Sequence, residues 1–248
     1  FDLGAPSHYG ADLVEAILTR RGPQCAEFLA TRLLRFFVTA AYDAAALRDL
    51  RDLILELEFE LSGILRRLLG SAWFFLPVHR FALYEGPVAW IVRRTRALGP
   101  GLDQAMSGAG IPAFPMWRLV VPYFQESGQD VLNPEGPNGW AEHVGWINAG
   151  TLRYRGQLAA ALALNEKSSG QSLFPTGVTD WFPVAPTSAR GVADRLEALL
   201  QPAPIPSGVR DGWLAALWPS GFSWDVASQG RARQLAYLIL TSPWSQVH

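Results

Sequence analysis

The sequence contains very little cysteine and lysine. Cys25 is the only cysteine among 248 residues, so an internal disulfide is excluded, although the compartment is left open. Helical spacing places Cys25 near an apolar face, and no basic neighbour or helix start would activate it, so we expect a small buried thiol and not a nucleophile. Lys167 is the only lysine. Arginine therefore supplies almost all the positive charge, which we attribute to a GC-rich coding bias.

The sequence also has no long apolar run and no large excess of positive or negative charge. No apolar run approaches the roughly 18 to 20 residues that a membrane helix needs, so we predict no membrane span. The formal net charge is -1 and the arginines alternate with leucines and acids, which argues against a nucleic-acid partner. The chain begins with FDLGAPSHYG, without a methionine or an export leader, so we interpret it as a mature product or a fragment.

The familiar catalytic motifs are absent from the sequence. It has no HExxH, paired CxxC, GxSxG, P-loop or GxGxxG pattern. The reaction classes that depend on these motifs lose their support, and we predict no cofactor. We therefore expect the protein to have a structural or binding role more than an enzymatic one.

Helical patterns run through most of the chain. Apolar residues make up 49 % of the composition, enough for a large core, and they recur at helical spacing with Ser, Gly or Pro at the segment ends. No stretch shows the period-2 alternation of a sheet. We predict one all-α domain over residues 1–248, an irregular bundle of about ten helices. The predicted helices are 8–22, 23–39, 43–59, 62–75, 86–99, 115–128, 150–164, 188–201, 207–218 and 227–242.

Three long segments interrupt the helices, at 99–115, 133–146 and 165–188. They are rich in Gly, Pro and aromatic residues and too apolar for disordered linkers. We expect them to be ordered loops whose aromatic side chains pack onto the helices, with the lining of a groove as the alternative. The aromatic side chains in question are Trp140, Trp146, Trp181 and Phe182.

The stretch NPEGPNGWAEHVGWINAGTLRYR, residues 133–155, gathers the candidate catalytic residues. Glu135, Glu142 and His143 could serve a hydrolase that acts on a polymer or a carbohydrate, since paired carboxylates need only spatial proximity. The alternative for His143 is a partly exposed, hydrogen-bonded loop histidine.

A metal site has one weak candidate. His8 and Asp12 are four residues apart and could share a helix face, as metal ligands sometimes do. A histidine in the first helical turn, beside a capping serine, is the plainer interpretation, and we predict no metal.

Two arginines follow the same loop. Asn148 or Thr151 is expected to cap the helix that carries Arg153 and Arg155. Since these arginines diverge by about 200 degrees on a helix, at most one faces back to the loop. We expect Arg153 or Arg155 to bind loop carbonyls or to pair with Glu135 or Glu142, with a bound anionic ligand as the alternative.

The sequence contains, in this order, the segments HYGADLVEAIL, CAEFLATRLLRFFV, LRDLILELEFELSGILRRLLGSAWF, EGPVAWIVRRTRALG, FQESGQDVLNPEGPNGWAEHVGWINAGTLRYR and RARQLAYLILTSPWSQ. Their order resembles a bacterial domain of unknown function, catalogued as number eighteen hundred. The family pattern has a Leu-Leu-x-Ser helix end, a Gly-Gln, Pro, Gly-Trp, Trp-Ile-Asn and Arg loop, and a closing Ser-Pro after an apolar helix. The matching positions are Gly128, Gln129, Pro134, Gly139, Trp140, Trp146, Ile147, Asn148, Arg153, Arg155, Ser242 and Pro243. The pattern leaves out His143, and it does not place the segment 165–188.

The resemblance implies a location and a partner but no reaction. Members of the family are exported, often by a twin-arginine leader, and are commonly encoded beside a sulfatase-like family. It implies a periplasmic or extracellular protein that corresponds to the family's C-terminal half. Its partner would be its own N-terminal half or the sulfatase-like protein, and carbohydrate is a further candidate.

The family pattern also changes the interpretation of the loop. It favours a structural clamp, or the wall of a groove, over a catalytic site. The clamp residues are Gly139, Trp140, Trp146, Asn148, Arg153 and Arg155. We predict an exported structural or binding module of a cell-envelope or extracellular assembly, with the hydrolase as the alternative.

Overall fold

The protein is helical, as its sequence predicts. A computed structural model describes residues 9–99, 114–165, 167–168, 171–172 and 177–248. Most of these residues lie in ten α-helices, which confirms the all-α class. Within the described ranges, the β-structure is limited to a bridge between Tyr84 and Val247 and to two antiparallel strands of two residues each, Lys167–Ser168 and Gln171–Ser172.

Nine of the ten α-helices in the described residues correspond to predicted ones, with the predicted helices 8–22 and 23–39 joined as one. The tenth, Val178–Trp181, lies in the predicted loop 165–188 and corrects that prediction. The ten helices are α1 (Tyr9–Phe37), α2 (Ala44–Glu56), α3 (Leu61–Leu69), α4 (Pro87–Leu98), α5 (Phe114–Glu126), α6 (Ala149–Ala159), α7 (Val178–Trp181), α8 (Ala189–Leu200), α9 (Ser207–Leu217) and α10 (Val226–Thr241). Short 3-10 turns lie at Pro77–His79, His143–Trp146 and Pro243–Ser245, and α6 continues as a π-helix over Ala160–Leu164. No helix within the described residues is long and apolar enough to span a membrane.

Local sequence explains where several helices begin and bend. Asp43 caps α2 by accepting a hydrogen bond from the Ala46 amide at 2.7 Å. Pro87 occupies the first turn of α4, where its missing N–H costs nothing. The predicted break before Pro23 is a kink inside α1, because Arg21 leaves helical geometry at φ -130° and ψ 21°.

The chain forms two compact units, the first ending at Leu83 and the second spanning Tyr84–His248. In the first unit, α1 packs on α2 around Ala30, Leu34 and Ile54. In the second, α4 to α10 surround a larger core, with Trp90 and Trp181 fully buried. This division does not establish how many domains fold independently, so the single domain over 1–248 stays a prediction.

The aromatic loop residues divide into two groups. Trp181 and Phe182 are buried in the core of the second unit, as expected. Trp140 and Trp146 are half-buried. Most of the predicted loop at 99–115 and much of the segment 165–188 lie outside the described residues.

Candidate functional site

The loop of residues 133–148 ends in a well-formed helix start. The Thr151 amide donates to the Asn148 Oδ1 at 3.0 Å, and the Asn148 amide donates to the Thr151 Oγ1 at 3.2 Å. This reciprocal capping box fixes the direction in which α6 leaves the loop. The predicted cap is confirmed, with both candidate residues taking part.

The two arginines of α6 point to different environments. Arg155 is buried, whereas Arg153 is exposed and lies with its guanidinium 5.6 Å from the Tyr154 ring centre. Arg155 donates from Nη1 to the Gln246 Oε1 and from Nη2 to the Glu85 carbonyl oxygen, each at 2.8 Å. Arg155 therefore does bind a backbone carbonyl, but one that lies far outside the predicted loop.

Glu85 is the centre of this buried arrangement. Its carboxylate Oε2 accepts from the Arg94 Nη2 at 3.2 Å, and its Oε1 lies 3.1 Å from the Nε of the half-exposed Arg93. Neither Glu85 nor Arg94 has any exposed surface. We call Glu85, Arg94, Arg155 and Gln246 the arginine cluster.

The arginine cluster holds the last residues of the chain against the start of α4. The Glu85 amide donates to the Gln246 carbonyl oxygen at 2.8 Å, next to the bridge between Tyr84 and Val247. The Ser245 carbonyl oxygen accepts from the Arg94 Nη2 at 3.2 Å and from the Trp90 Nε1 at 2.8 Å. Segments that are distant in sequence are thereby joined by buried, charge-assisted hydrogen bonds.

Burial sets the electrostatics of the arginine cluster. Desolvation lowers the pKa of Arg94 to about 10, and the nearby Glu85 opposes that shift. The pKa of Arg155 falls to about 10 for the same reasons. Both arginines stay charged at neutral pH, so the buried carboxylate of Glu85 compensates the positive charges of both Arg94 and Arg155. The guanidinium of Arg155 also lies 5.6 Å from the Trp90 ring centre, a favourable cation–π distance.

Sequence reasoning missed Glu85, Arg94 and Gln246. The family-like segments EGPVAWIVRRTRALG and SPWSQ contain all three, so a signal was present in the sequence. Glu85 and Arg94 are nine positions apart, but the contacts of the three residues with Arg155 and Ser245 span 70 to 151 positions, which no local pattern reports.

The candidate catalytic residues lie on the loop but have different exposure. Glu135 and Glu142 are exposed. His143 is half-buried, opens the 3-10 turn and has a left-handed φ of 50°. A catalytic role for these three side chains stays a prediction.

The structure describes only one of the two residues considered as metal ligands. Asp12 is exposed on the first turn of α1, whereas His8 lies outside the described residues. Over the described part of the chain, no group of three or more His, Cys, Asp or Glu side chains is placed to hold a metal ion.

A different feature marks the first unit, where α1 leaves large apolar side chains exposed. Phe28 and Phe36 are 68 % and 74 % exposed. They lie on one helical face with the exposed Arg32 and Arg35, since the four positions follow the i, i+4, i+7, i+8 spacing. We call these four residues the α1 outer face. Before the kink, the apolar side chains of Leu13, Val14, Ile17 and Leu18 are exposed as well.

Comparison with known proteins gives a family but no characterised relative. A search of curated proteins and a search of solved structures each found no match to the chain. A family model described as a protein of unknown function, DUF1800, matches residues 5–247. This match covers nearly the whole chain and confirms the resemblance seen in its segments. The chain belongs to the DUF1800 family of proteins of unknown function.

Proposed function

We propose that this protein is an exported structural or binding module that docks a partner protein through the exposed side of α1. The observation that carries the proposal is the set of large apolar side chains left exposed along that helix, above all Phe28 and Phe36. Single exposed apolar residues are ordinary on protein surfaces, but several that share one element mark interaction sites.

The composition of the α1 outer face suits protein recognition. Aromatic and arginine side chains contribute most of the energy at many protein interfaces. Here Arg32 lies with its guanidinium 6.0 Å from the Phe28 ring centre, and Phe36 packs edge-on against Phe37 at 4.7 Å. Each exposed ring is thus supported by a neighbour, which reduces the entropy lost when a partner binds.

The second unit supplies the rigidity that a structural module needs. The arginine cluster closes the chain end onto α4, and the capping box fixes the start of α6. Residues of the predicted clamp, among them Asn148 and Arg155, therefore act in folding. The family resemblance favours a periplasmic or extracellular location, where the partner would be the protein's own N-terminal half or the sulfatase-like neighbour.

Site-specific photo-crosslinking tests the proposed docking. A benzophenone amino acid at position 36 of the native protein in its own cells should give one dominant crosslinked partner. The same amino acid at Asp211, exposed on α9 in the second unit, serves as the control position. The partner is then identified, purified and titrated with the wild-type chain and with a Phe28→Ser, Phe36→Ser variant.

The variant should bind the purified partner at least about tenfold more weakly, since exposed aromatic anchors dominate such interfaces. Equal crosslinking at positions 36 and 211, or equal affinity of both proteins, would overturn the docking proposal. Fractionation of the same cells tests export separately, because an exported protein appears outside the cytoplasmic fraction.

A further inference from the structure

The first unit contains a groove that the docking proposal does not use. It has a volume of about 360 Å³ and lies between the end of α1, α2, and α3 with the turn that follows it. Its floor is formed by the buried side chains of Leu34, Leu50 and Leu68. Trp73 forms one wall and packs its ring 4.3 Å from the His79 ring. The groove has the size and apolar lining of a site that receives a bulky side chain.

The rim of the groove is acidic. Asp43 and Asp49 line one side, and both are exposed. Arg67 lines the groove too, but its Nη1 pairs with the Glu56 Oε1 at 3.3 Å, which offsets its charge. An apolar floor below two carboxylates favours an occupant that carries an aromatic or aliphatic group next to a cation.

The α1 outer face has this complementary chemistry. Phe28 and Phe36 offer exposed rings, and Arg32 and Arg35 lie beside them on the same face. Phe28 and Leu34 are six residues apart, which turns them about 240 degrees around the helix axis. The outer face and the groove therefore lie on different sides of α1, so a single chain cannot bring the two together.

We infer that the groove receives the α1 outer face of a second copy of this chain. This inference rests on the proposed docking surface on α1 and adds a second copy of the chain to the partners expected there. Because the two contacting surfaces differ, the contact is head-to-tail, and a pair of copies keeps one free face and one free groove. The groove is lined by 11 residues, fewer than the roughly 20 to 30 that each partner contributes to a stable interface, so the association is weak and depends on concentration.

Sedimentation of the full-length chain tests the inference with two variants. The face variant carries Phe28→Ser and Phe36→Ser, and it keeps Arg32 and Arg35, so its face stays repelled by a groove that carries an arginine. The groove variant carries Asp49→Arg and Asp43→Ser, because serine keeps the cap of α2 while removing the charge. Circular dichroism and thermal melting confirm that both variants fold like the wild type.

The wild type should grow in mass with concentration, beyond a dimer, up to about 500 μM, a range suited to a weak interface. Each variant alone should remain monomeric, because the face variant lacks the rings that enter the groove, and arginines meet across the contact of the groove variant. An equimolar mixture should form a 1:1 dimer that grows no further, because one intact face meets one intact groove.

A wild type that is monomeric at about 500 μM would overturn the inference, as would a mixture that remains monomeric. Association that both variants retain would overturn it as well. These results do not decide the proposed function. If the chain is monomeric but position 36 still crosslinks a different protein, the self-contact fails and the docking proposal stands.

Discussion

Glu85 lies where the side chains of Arg93, Arg94 and Arg155 approach one another. A buried ion pair adds little net stability over an apolar replacement, but removing one partner leaves a buried charge without compensation. Glu85→Ala should therefore lower the free energy of unfolding by about 3 to 5 kcal/mol, measured by urea denaturation followed by tryptophan fluorescence.

Glu135→Ala is the matched control for this substitution. Glu135 is an exposed glutamate of the loop, so its replacement should change the free energy of unfolding by less than about 0.5 kcal/mol. If Glu85→Ala were as mild as the control, the arginine cluster would not hold the chain end in place.

Asp225 makes the stability depend on pH. Its carboxylate accepts from the Ser228 amide at 2.7 Å and from the Ser223 Oγ at 2.8 Å, and these bonds lower its pKa. A lowered folded-state pKa gives stability that is present above the unfolded value of about 3.9 and is lost as pH falls through the folded value. Asp225→Ala, which removes the acceptor, should therefore melt below the wild type at neutral pH, with the gap narrowing in strong acid.

Differential scanning calorimetry at both pH values measures this gap. Glu15→Gln, an exposed change on α1, should leave the melting temperature unaltered at either pH. A gap between Asp225→Ala and the wild type that is the same in acid as at neutral pH would contradict the assigned role of the carboxylate.

The start of α6 offers a test of a whole helix. Asn148→Ala removes the cap from the Thr151 amide and should cost about 1 kcal/mol of the free energy of unfolding. Asn148→Asp keeps an acceptor at the same place. It should lower the free energy of unfolding by only about 0.3 kcal/mol, because Asp and Asn cap equally well. Urea denaturation of the two variants separates the lost cap from a general effect at this position; equal losses would argue against the cap.

Local sequence signals explain why the helices were predictable. Their starts at Asp43, Pro87 and Asn148, and the bend in α1 near Gly22, depend on residues within one or two turns. The π-helix Ala160–Leu164 was not predicted, since an alanine-rich run gives the same pattern in either helix type.

The candidate functional site was also predictable only where its contacts are local in sequence. The capping residues Asn148 and Thr151 could be predicted because they contact their own helix. The partners of Arg155 could not be, because they belong to segments that folding brings together from 70 and 91 residues away. The α1 outer face was also missed, since Phe28 and Phe36 look like core residues until the packing of α1 on α2 shows which side is buried.

Each of the two units has a core of its own, which bears on how the chain unfolds. Ile54 is fully buried in the first unit and Leu235 in the second. Truncating either side chain to alanine should cost about 2 to 5 kcal/mol, since a cavity remains where the side chain was. If the two units unfold independently, each substitution should destabilise only the unit that contains it.

Hydrogen exchange of the full chain, read by mass spectrometry, answers it. With separate cores, Ile54→Ala should speed exchange about 30-fold or more in the helices before Leu83 and leave later helices protected, because exchange reports local unfolding. Leu235→Ala should give the reverse pattern. Loss of protection in both units from either substitution would instead support the single folding domain predicted from the sequence, with one cooperative transition over the whole chain.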